Sequence, residues 1–426
     1  MTDEGLYWLW LQCALGISSS LRTREILDAF PLRGEGACAV SAARRIYEAS
    51  DYERRISGAF TAPQLNKLSS VSVAEAEKIA EECKRHGLHI LTPQNPCMPS
   101  RLLQIPNHPL VLYVDGSLDC FEKRLAVALV GTRRADRKSV DIAGRLSASL
   151  ARAGCVVVSG GALGIDSAAH RGALAAKGMT VAVLGCGHAC SYLPENRLMR
   201  EEIAKHGAVL SEFPPAALPL AQNFPIRNRI ISGLSVGCVV VEAGERSGSL
   251  ITAECAAEQG RDVFAVPGDV FGSTYTGANK LIKDGAKPVF SAMDILEEYE
   301  QLFPELLDIR TVERDLKRPG VAPETVAVKA STAQRKPSAR KTAAGKRVAA
   351  APAAEVPPAV LRPEGLEGKL LELLAQGALH VDALCKQSGQ RLGLVFAALT
   401  NLEMDGFVRQ MPGKLFESMK TGEEQT

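Results

Sequence analysis

Residues 155–185 read "CVVVSGGALGIDSAAHRGALAAKGMTVAVLG". The two ends, "CVVVS" (155–159) and "TVAVLG" (180–185), are short and β-branched, and a helix-like segment over 165–177 lies between them. Strand, glycine turn, helix, strand is the βαβ unit of a parallel sheet. The alternation continues in both directions. "LAVALV" (125–130), "AVLSE" (208–212), "GCVVVEA" (237–243) and "DVFAVPG" (262–268) supply further strands, with helical stretches at 139–153, 195–206 and 249–259. Runs this apolar belong to strands buried on both faces. An earlier candidate, "PLVLYV" (109–114), extends the sheet.

In such a fold ligands sit beyond the carboxyl ends of the strands, where helix N-termini and backbone N–H groups attract anions. The residues directly after each strand are therefore the informative ones: Gly131-Thr132-Arg133, then Ser159-Gly160-Gly161 with Gly164, then Gly185-Cys186-Gly187. "ERSGSLIT" (245–252) follows the fifth strand of the series. Several loops rich in glycine, hydroxyls and arginine at one edge point to a ligand containing phosphate. The pattern excludes two common ligands. The first turn, "GTRRAD", is not G-x-G-x-x-G and the second strand ends in Ser159-Gly160 rather than an acid, so NAD binding fails; no G-x-x-x-x-G-K-[ST] occurs either. Asp166 and His170 stand four residues apart on one helix, but no activated nucleophile accompanies them, and they read as helix-start and packing residues.

"NFPIRNRIISGLS" (223–235) precedes the fifth strand. With Pro225 at the first helical position, Ile226, Ile230 and Leu234 make one buried stripe, flanked by Arg227 and Arg229. Alone, the stretch fits a half-buried helix whose arginines lay their stems along the core and keep their heads in water. Beside the anion-seeking loops, the same arginines become candidates for a phosphate clamp.

Composition bounds the rest. A chain of 426 residues with 46% hydrophobic content should hold two or three domains. Its eleven cysteines include no C-x-x-C pair, which argues for reduced thiols rather than a disulfide framework. Cys186-Gly-His188-Ala-Cys190 suits no zinc class, so no metal is expected. The first residues, "MTDEGLYWLWLQ", are acidic where a secretory signal is basic, and no apolar run approaches membrane-spanning length; a cytoplasmic location is expected. The net charge of +2 is uneven: 310–350 carries eleven Lys or Arg against three acids, giving +8, which leaves −6 for the remainder. Together with "VAAAPAAEVPPAVLRP" it makes 310–363 read as a disordered basic linker, a spacer or a weak polyanion binder.

"ALVGTR", "SGGALGIDSAAHRGAL", "TVAVLGCG", "SEFPP", "NFPIRNRIISGLS", "VVVEAGERSGSLITAECAAEQGRDVFAVPGD" and "GANKLIKDGAKPVF" come in the order, and nearly the wording, of the DNA-processing protein A (DprA/Smf) family. The resemblance covers roughly 75–300, with Gly161 departing from a more usual aliphatic residue. It implies an extended Rossmann-like core over 75–305. It further implies a non-enzymatic protein that binds single-stranded DNA without sequence preference and loads the RecA recombinase onto it, notably in natural transformation, as a homodimer. No cofactor is implied. Carried onto this chain, it gives a backbone-gripping pocket of Gly131 and Arg133, the loop Ser159, Gly160, Gly161 and Gly164, then Phe224, Arg227, Asn228 and Arg229, then Ser247, Gly248 and Ser249, and finally Asn279 and Lys280. Arginines would clamp phosphates while Phe224 stacks a base or, alternatively, caps the core.

The ends resemble the family less tightly. Residues 1–70 look helical, with "CALGISSSLRTREILDAF" similar to a SAM or helix-hairpin-helix unit, and 364–420 reads as a winged-helix-like domain. Its third helix, "RLGLVFAALTNLEMDG", offers one arginine against two acids, fewer cations than a groove reader brings, which favours a protein contact or a structural role. One enzyme class stays open, a Rossmann-like hydrolase of nucleoside monophosphates with a P-G-G-x-G-T-x-x-E motif. The comparable place here, "EAGERSGSLITAE", lacks those glycines.

Overall fold

The computed structural model describes residues 3–316 except 19, 32–39 and 120, and then 366–375, 377–390, 395, 398–399, 402, 407–411 and 415–418. Two compact units divide the chain, Met1–Thr332 and Ala333–Thr426.

The first unit opens with helices α1 (Asp3–Leu15), α2 (Thr23–Ala29), α3 (Ala42–Glu48), α4 (Asp51–Ile56), α5 (Ala62–Ser70) and α6 (Val73–Arg85). Then come β1 (His89–Leu91), α7 (Ser100–Leu103) and β2 (Leu112–Gly116). The alternating core follows as β3 (Ala126–Val130), α8 (Arg137–Arg152), β4 (Val156–Ser159), α9 (Ile165–Ala175), β5 (Thr180–Leu184), α10 (Arg197–His206) and β6 (Ala208–Ser211). It continues through α11 (Asn223–Leu234), β7 (Gly237–Val240), α12 (Gly248–Glu258), β8 (Asp262–Ala265), α13 (Thr276–Lys283) and β9 (Lys287–Pro288). Two helices, α14 (Met293–Glu300) and α15 (Ile309–Leu316), complete it.

The nine strands form one sheet in the order β1-β2-β6-β5-β4-β3-β7-β8-β9. From β6 to β9 every neighbouring pair is parallel, while β1 and β2 join antiparallel at one edge. This is the Rossmann-like core anticipated from the alternation of elements, with "PLVLYV" supplying the antiparallel strand. Helices α8, α9, α14 and α15 cover one face, burying Leu146, Leu150, Ala169 and Ile295 against Val127, Leu129 and Val157. On the other face α11, α12 and α13 bury Ile230, Leu234, Ala253 and Ala278 against Val130, Val183 and Val240. Chain order runs from β3 outward to β6 in one direction and from β7 outward to β9 in the other. The crevice between the ends of β3 and β7 is therefore a topological switch point, where the crossover loops diverge and leave room for a ligand.

The N-terminal helices share a core with the sheet edge. Trp8, Trp10 and Leu11 pack together with Leu110, Val111 and Tyr113. The Tyr113 hydroxyl donates to Gln12 Oε1 at 2.7 Å, and Gln12 Nε2 donates to the Glu212 carbonyl at 3.1 Å. The stretch expected to be disordered from residue 310 begins instead as α15, because Ile309 and Val312 are buried in the core beneath α8. Residues 317–363 of that expectation lie outside the described residues.

In the second unit α16 (Leu366–Leu374), β10 (Leu379–His380), α17 (Val381–Ser388), β11 (Val408–Met411) and β12 (Leu415–Ser418) are described. The three strands pair in the order β10-β12-β11, all antiparallel. Leu370, Leu384, Leu399, Leu402 and Phe416 form its core. Two helices, a buried apolar stripe at Val395, Leu399 and Leu402, and a hairpin wing are the parts of a winged helix.

Candidate functional site

A pocket of about 400 Å³ opens at the switch point. Four walls come from distant parts of the chain: Val130 to Arg134 after β3, Ala162 and Asp166 before and at the start of α9, Phe224 to Asn228 in the first turns of α11, and Ser247 to Thr252 at the start of α12.

The β3 loop is held by backbone on both sides. Thr132 N–H donates to the Glu242 carbonyl at 2.8 Å, and its own carbonyl accepts from Ile165 N–H at 3.2 Å. Asp136 N–H then donates to Glu242 Oε2 at 3.2 Å. Gly164, at φ 75°, lets this happen, since a Cβ there would lie 2.3 Å from the Thr132 carbonyl oxygen. The consequence is that Arg133 and Arg134 project into solvent at the pocket mouth. The Arg133 guanidinium stands 4.9 Å from the centre of the Phe224 ring, in cation–π range. Phe224 is half-buried, backed by Tyr192 at 5.4 Å between ring centres.

Opposite, α12 begins at Gly248 with Ser247 as its N-cap. The hydroxyls of Ser247 and Ser249 are 2.8 Å apart, and Asn228 Nδ2 donates to the Gly248 carbonyl at 3.2 Å, fixing the turn. An eleven-residue helix whose first turn lines the pocket directs the positive end of its dipole at whatever anion enters.

The two arginines of α11 do different work from a phosphate clamp. Arg227 is buried: Nη1 donates to the carbonyls of Gly160, at 2.7 Å, and of Val183, and Nε donates to Asn228 Oδ1 at 3.2 Å. It ties the ends of β4 and β5 to α11 and shows the pocket only part of its guanidinium, whose pKa burial lowers. Arg229 does not line the pocket. It makes a bidentate ion pair with Glu212, Nη1 to Oε2 at 2.8 Å and Nη2 to Oε1 at 2.7 Å, with both side chains 3% exposed. Pro225 is the third residue of α11 rather than the first, still within the turn where its missing N–H costs nothing.

Other expected contacts are also relocated. Of the β4 loop only Ala162 lines the pocket. Ser159 Oγ donates to the Leu129 carbonyl at 2.6 Å, the Gly160 and Gly161 carbonyls are taken by Arg227 and Asn196, and Gly164 packs on Thr132. Asn279 brackets Gly268, accepting from its N–H at 3.1 Å and donating to its carbonyl at 3.3 Å, while Lys280 is exposed on α13; neither lines the pocket. Thus Gly131, Arg133, Phe224, Arg227, Asn228, Ser247, Gly248 and Ser249 come together, and the remaining seven expected residues stand behind or beside them. Thr132, named among the strand-end loop residues, joins them, and Arg134 and Asp166 enter the site unforeseen in that role. The second arginine of "GTRRAD" was the available signal for one of them.

Asp166 places a carboxyl at the back of the pocket, accepting from Ala162 N–H at 3.3 Å. Burial raises its pKa against the pull of Arg227 and Arg133. His170, one helical turn on, is fully buried with Nδ1 2.8 Å from Thr180 Oγ1, whose own proton goes to the Val157 carbonyl. His170 therefore turns away from Asp166's pocket, and burial pushes its pKa down to about 3. His188 is likewise engaged, 3.0 Å from the Tyr113 carbonyl, and no cluster of three metal-ligating side chains occurs among the described residues.

Residues 89–300, which include this pocket, match the family model for DNA recombination-mediator protein A. The DNA processing protein DprA of Bacillus subtilis is 42% identical over 215 residues, which cover 50% of this chain and 72% of that relative. The chain belongs to the DprA/Smf family. The Smf protein of Synechocystis is 34% identical over 346 residues, 79% of this chain and 82% of the relative. A crystal structure of DprA from Streptococcus pneumoniae superposes with a TM-score of 0.59 at 32% identity, covering 70% of this chain and 98% of that one. Residues 349–414 match the DprA winged helix domain, in keeping with the second unit's helices and wing. Family membership makes this a DNA-processing protein. No helix among the described residues is long and apolar enough to cross a membrane.

Proposed function

We propose that the chain binds single-stranded DNA without sequence preference at the switch-point pocket and passes it to the RecA recombinase. In this reading it acts in the cytoplasm as a non-enzymatic homodimer, during natural transformation and recombination. The observation that carries the reading is the pairing of Arg133 with Phe224 opposite the α12 N-terminus. Fixed positive charge and a helix dipole suit a phosphate, an aromatic face suits any base, and the combination carries no means of telling one base from another. Binding rather than catalysis is supported by the fate of the Asp166–His170 pair, in which the imidazole is bonded to Thr180 and sealed in the core.

Fluorescence anisotropy with poly-dT and mixed-sequence strands across a salt series tests it. The wild type should bind both alike, and Arg133→Ala should weaken both equally and flatten the log-affinity against log-salt slope by about 0.7. Marked preference for one sequence, or equal affinity for duplex, would defeat the reading. Transfer to the recombinase should show as faster onset of strand-dependent ATP hydrolysis by RecA, and a dimer as doubled mass in sedimentation.

A further inference from the structure

We infer that a strand held in the pocket leaves it across the first turn of α8 and stacks a further base on Phe271. This rests on the single-strand reading above and extends it to a second contact site outside the pocket.

Phe271 is 96% exposed and its neighbour Val270 76% exposed, on the loop between β8 and α13. A phenylalanine fully in water, beside a second exposed apolar residue, gains nothing from the fold and is available to a partner. The loop is not loose. Phe271 N–H donates to Asp269 Oδ1 at 2.9 Å, Gly272 N–H to the Asp269 carbonyl at 3.1 Å, and Tyr275 N–H to the Gly272 carbonyl at 3.2 Å. At its far end the Tyr275 hydroxyl lies 2.7 Å from Ser139 Oγ and donates to Asp136 Oδ2 at 3.2 Å. The loop is thereby fastened to the N-terminal turn of α8. Phe271 and Tyr275 stand four positions apart, so their Cα atoms lie within about 14 Å of each other even if the chain between were fully extended.

What lies between pocket and aromatic decides the occupant. Arg133, Arg134, Arg137 and Lys138 are all exposed, and none joins an ion pair among the described residues. Arg133 and Arg134 line the pocket; Arg137 and Lys138 begin α8, beside the Tyr275 anchor. The single acid in the run, Asp136, spends its carboxylate on Ser139 N–H and the Tyr275 hydroxyl. Four exposed cations thus follow one another in the chain from the pocket mouth to the turn of α8 that the Tyr275 loop is fastened to. A flexible polyanion bearing a flat apolar group on each unit meets both features at once; a duplex, with its bases paired inside, cannot offer them to Phe271.

The test compares a thymidine trinucleotide, expected to engage the pocket first, with an oligothymidylate several times longer. Phe271→Ala should leave trinucleotide affinity unchanged and weaken the longer strand about tenfold, whereas Arg133→Ala should weaken both. Phe271→Trp gives a direct report, since Trp8 and Trp10 are 2% and 1% exposed: its fluorescence should be quenched by the long strand and not by the trinucleotide. Equal affinities for Phe271→Ala and wild type at both lengths, with Arg133→Ala still defective, would overturn the second site and leave the pocket standing. Failure of the wild type to bind either strand would remove both. If Phe271→Ala binds DNA normally but sediments at a different mass, the patch is a contact between copies and the inference falls.

Discussion

Three arginines within reach of one pocket meet three different fates. Arg133 is exposed with its guanidinium over the Phe224 ring, Arg227 spends its donors on main-chain carbonyls, and Arg229 is sealed against Glu212. Substitution should separate them. Arg133→Ala is expected to change folding stability by less than about 0.5 kcal/mol while weakening single-strand binding. Arg229→Ala leaves the Glu212 carboxylate buried and uncompensated, which should cost about 3 to 5 kcal/mol in urea unfolding. A paired Arg229→Met, Glu212→Leu variant should recover most of that loss, because the costly state is one charge without its partner. Arg227→Ala should lower both stability and affinity. The reason these fates were not legible from "NFPIRNRIISGLS" is geometric: past a half-buried first turn, residues 227–234 are all buried, so from Arg227 on the helix has no wet face for an arginine to occupy. A stripe at i, i+4 and i+8 identifies one buried side and says nothing of the other. The Glu212 partner lies just after β6, seventeen positions away, a pairing no local pattern announces.

At the scale of elements, the strands were legible because a two-sided parallel sheet demands uninterrupted apolar runs, and their order of appearance fixed the loops that could face a ligand. What the pattern missed were β1 and β9, three and two residues long, too short to show a period. Helix α9 gives an element-level test. Its His170 takes a proton only near pH 3 in the folded protein, against about 6.5 when unfolded. Acid therefore favours the unfolded chain: the stability His170 contributes is complete above about pH 6.5 and declines as pH falls toward 3. Between pH 7 and pH 5 this should remove about 2 kcal/mol. His170→Gln, which does not titrate, should show a correspondingly flatter pH dependence of its urea midpoint, whatever its stability at neutral pH. An identical pH dependence in the two proteins would mean that the imidazole is hydrated in the folded state.

At the scale of the molecule, the sheet-bearing unit holds every residue of the pocket, and the winged-helix unit is a separate body. Deleting 364–426 while keeping the basic 310–363 stretch should change single-strand affinity by less than tenfold, that is by under about 1.4 kcal/mol. The stretch 391–406, read from the sequence as that unit's third helix, carries one arginine against two acids, too little to engage a polyanion. A larger loss in the anisotropy assay would assign nucleic-acid contacts to the winged helix.

The switch point has a consequence for how this protein is made. Its pocket joins residues 130–134 to 247–252, more than a hundred positions apart, with 162–166 and 224–228 between. A chain emerging N-terminus first from the ribosome can complete β3 to β6 with two arginines already displayed, yet the fourth wall does not exist until α12 has been synthesised. The nascent polypeptide is thus blind to nucleic acid through most of its synthesis, and ribosome-stalled chains ending before α12 should ignore oligothymidylate that longer ones retain.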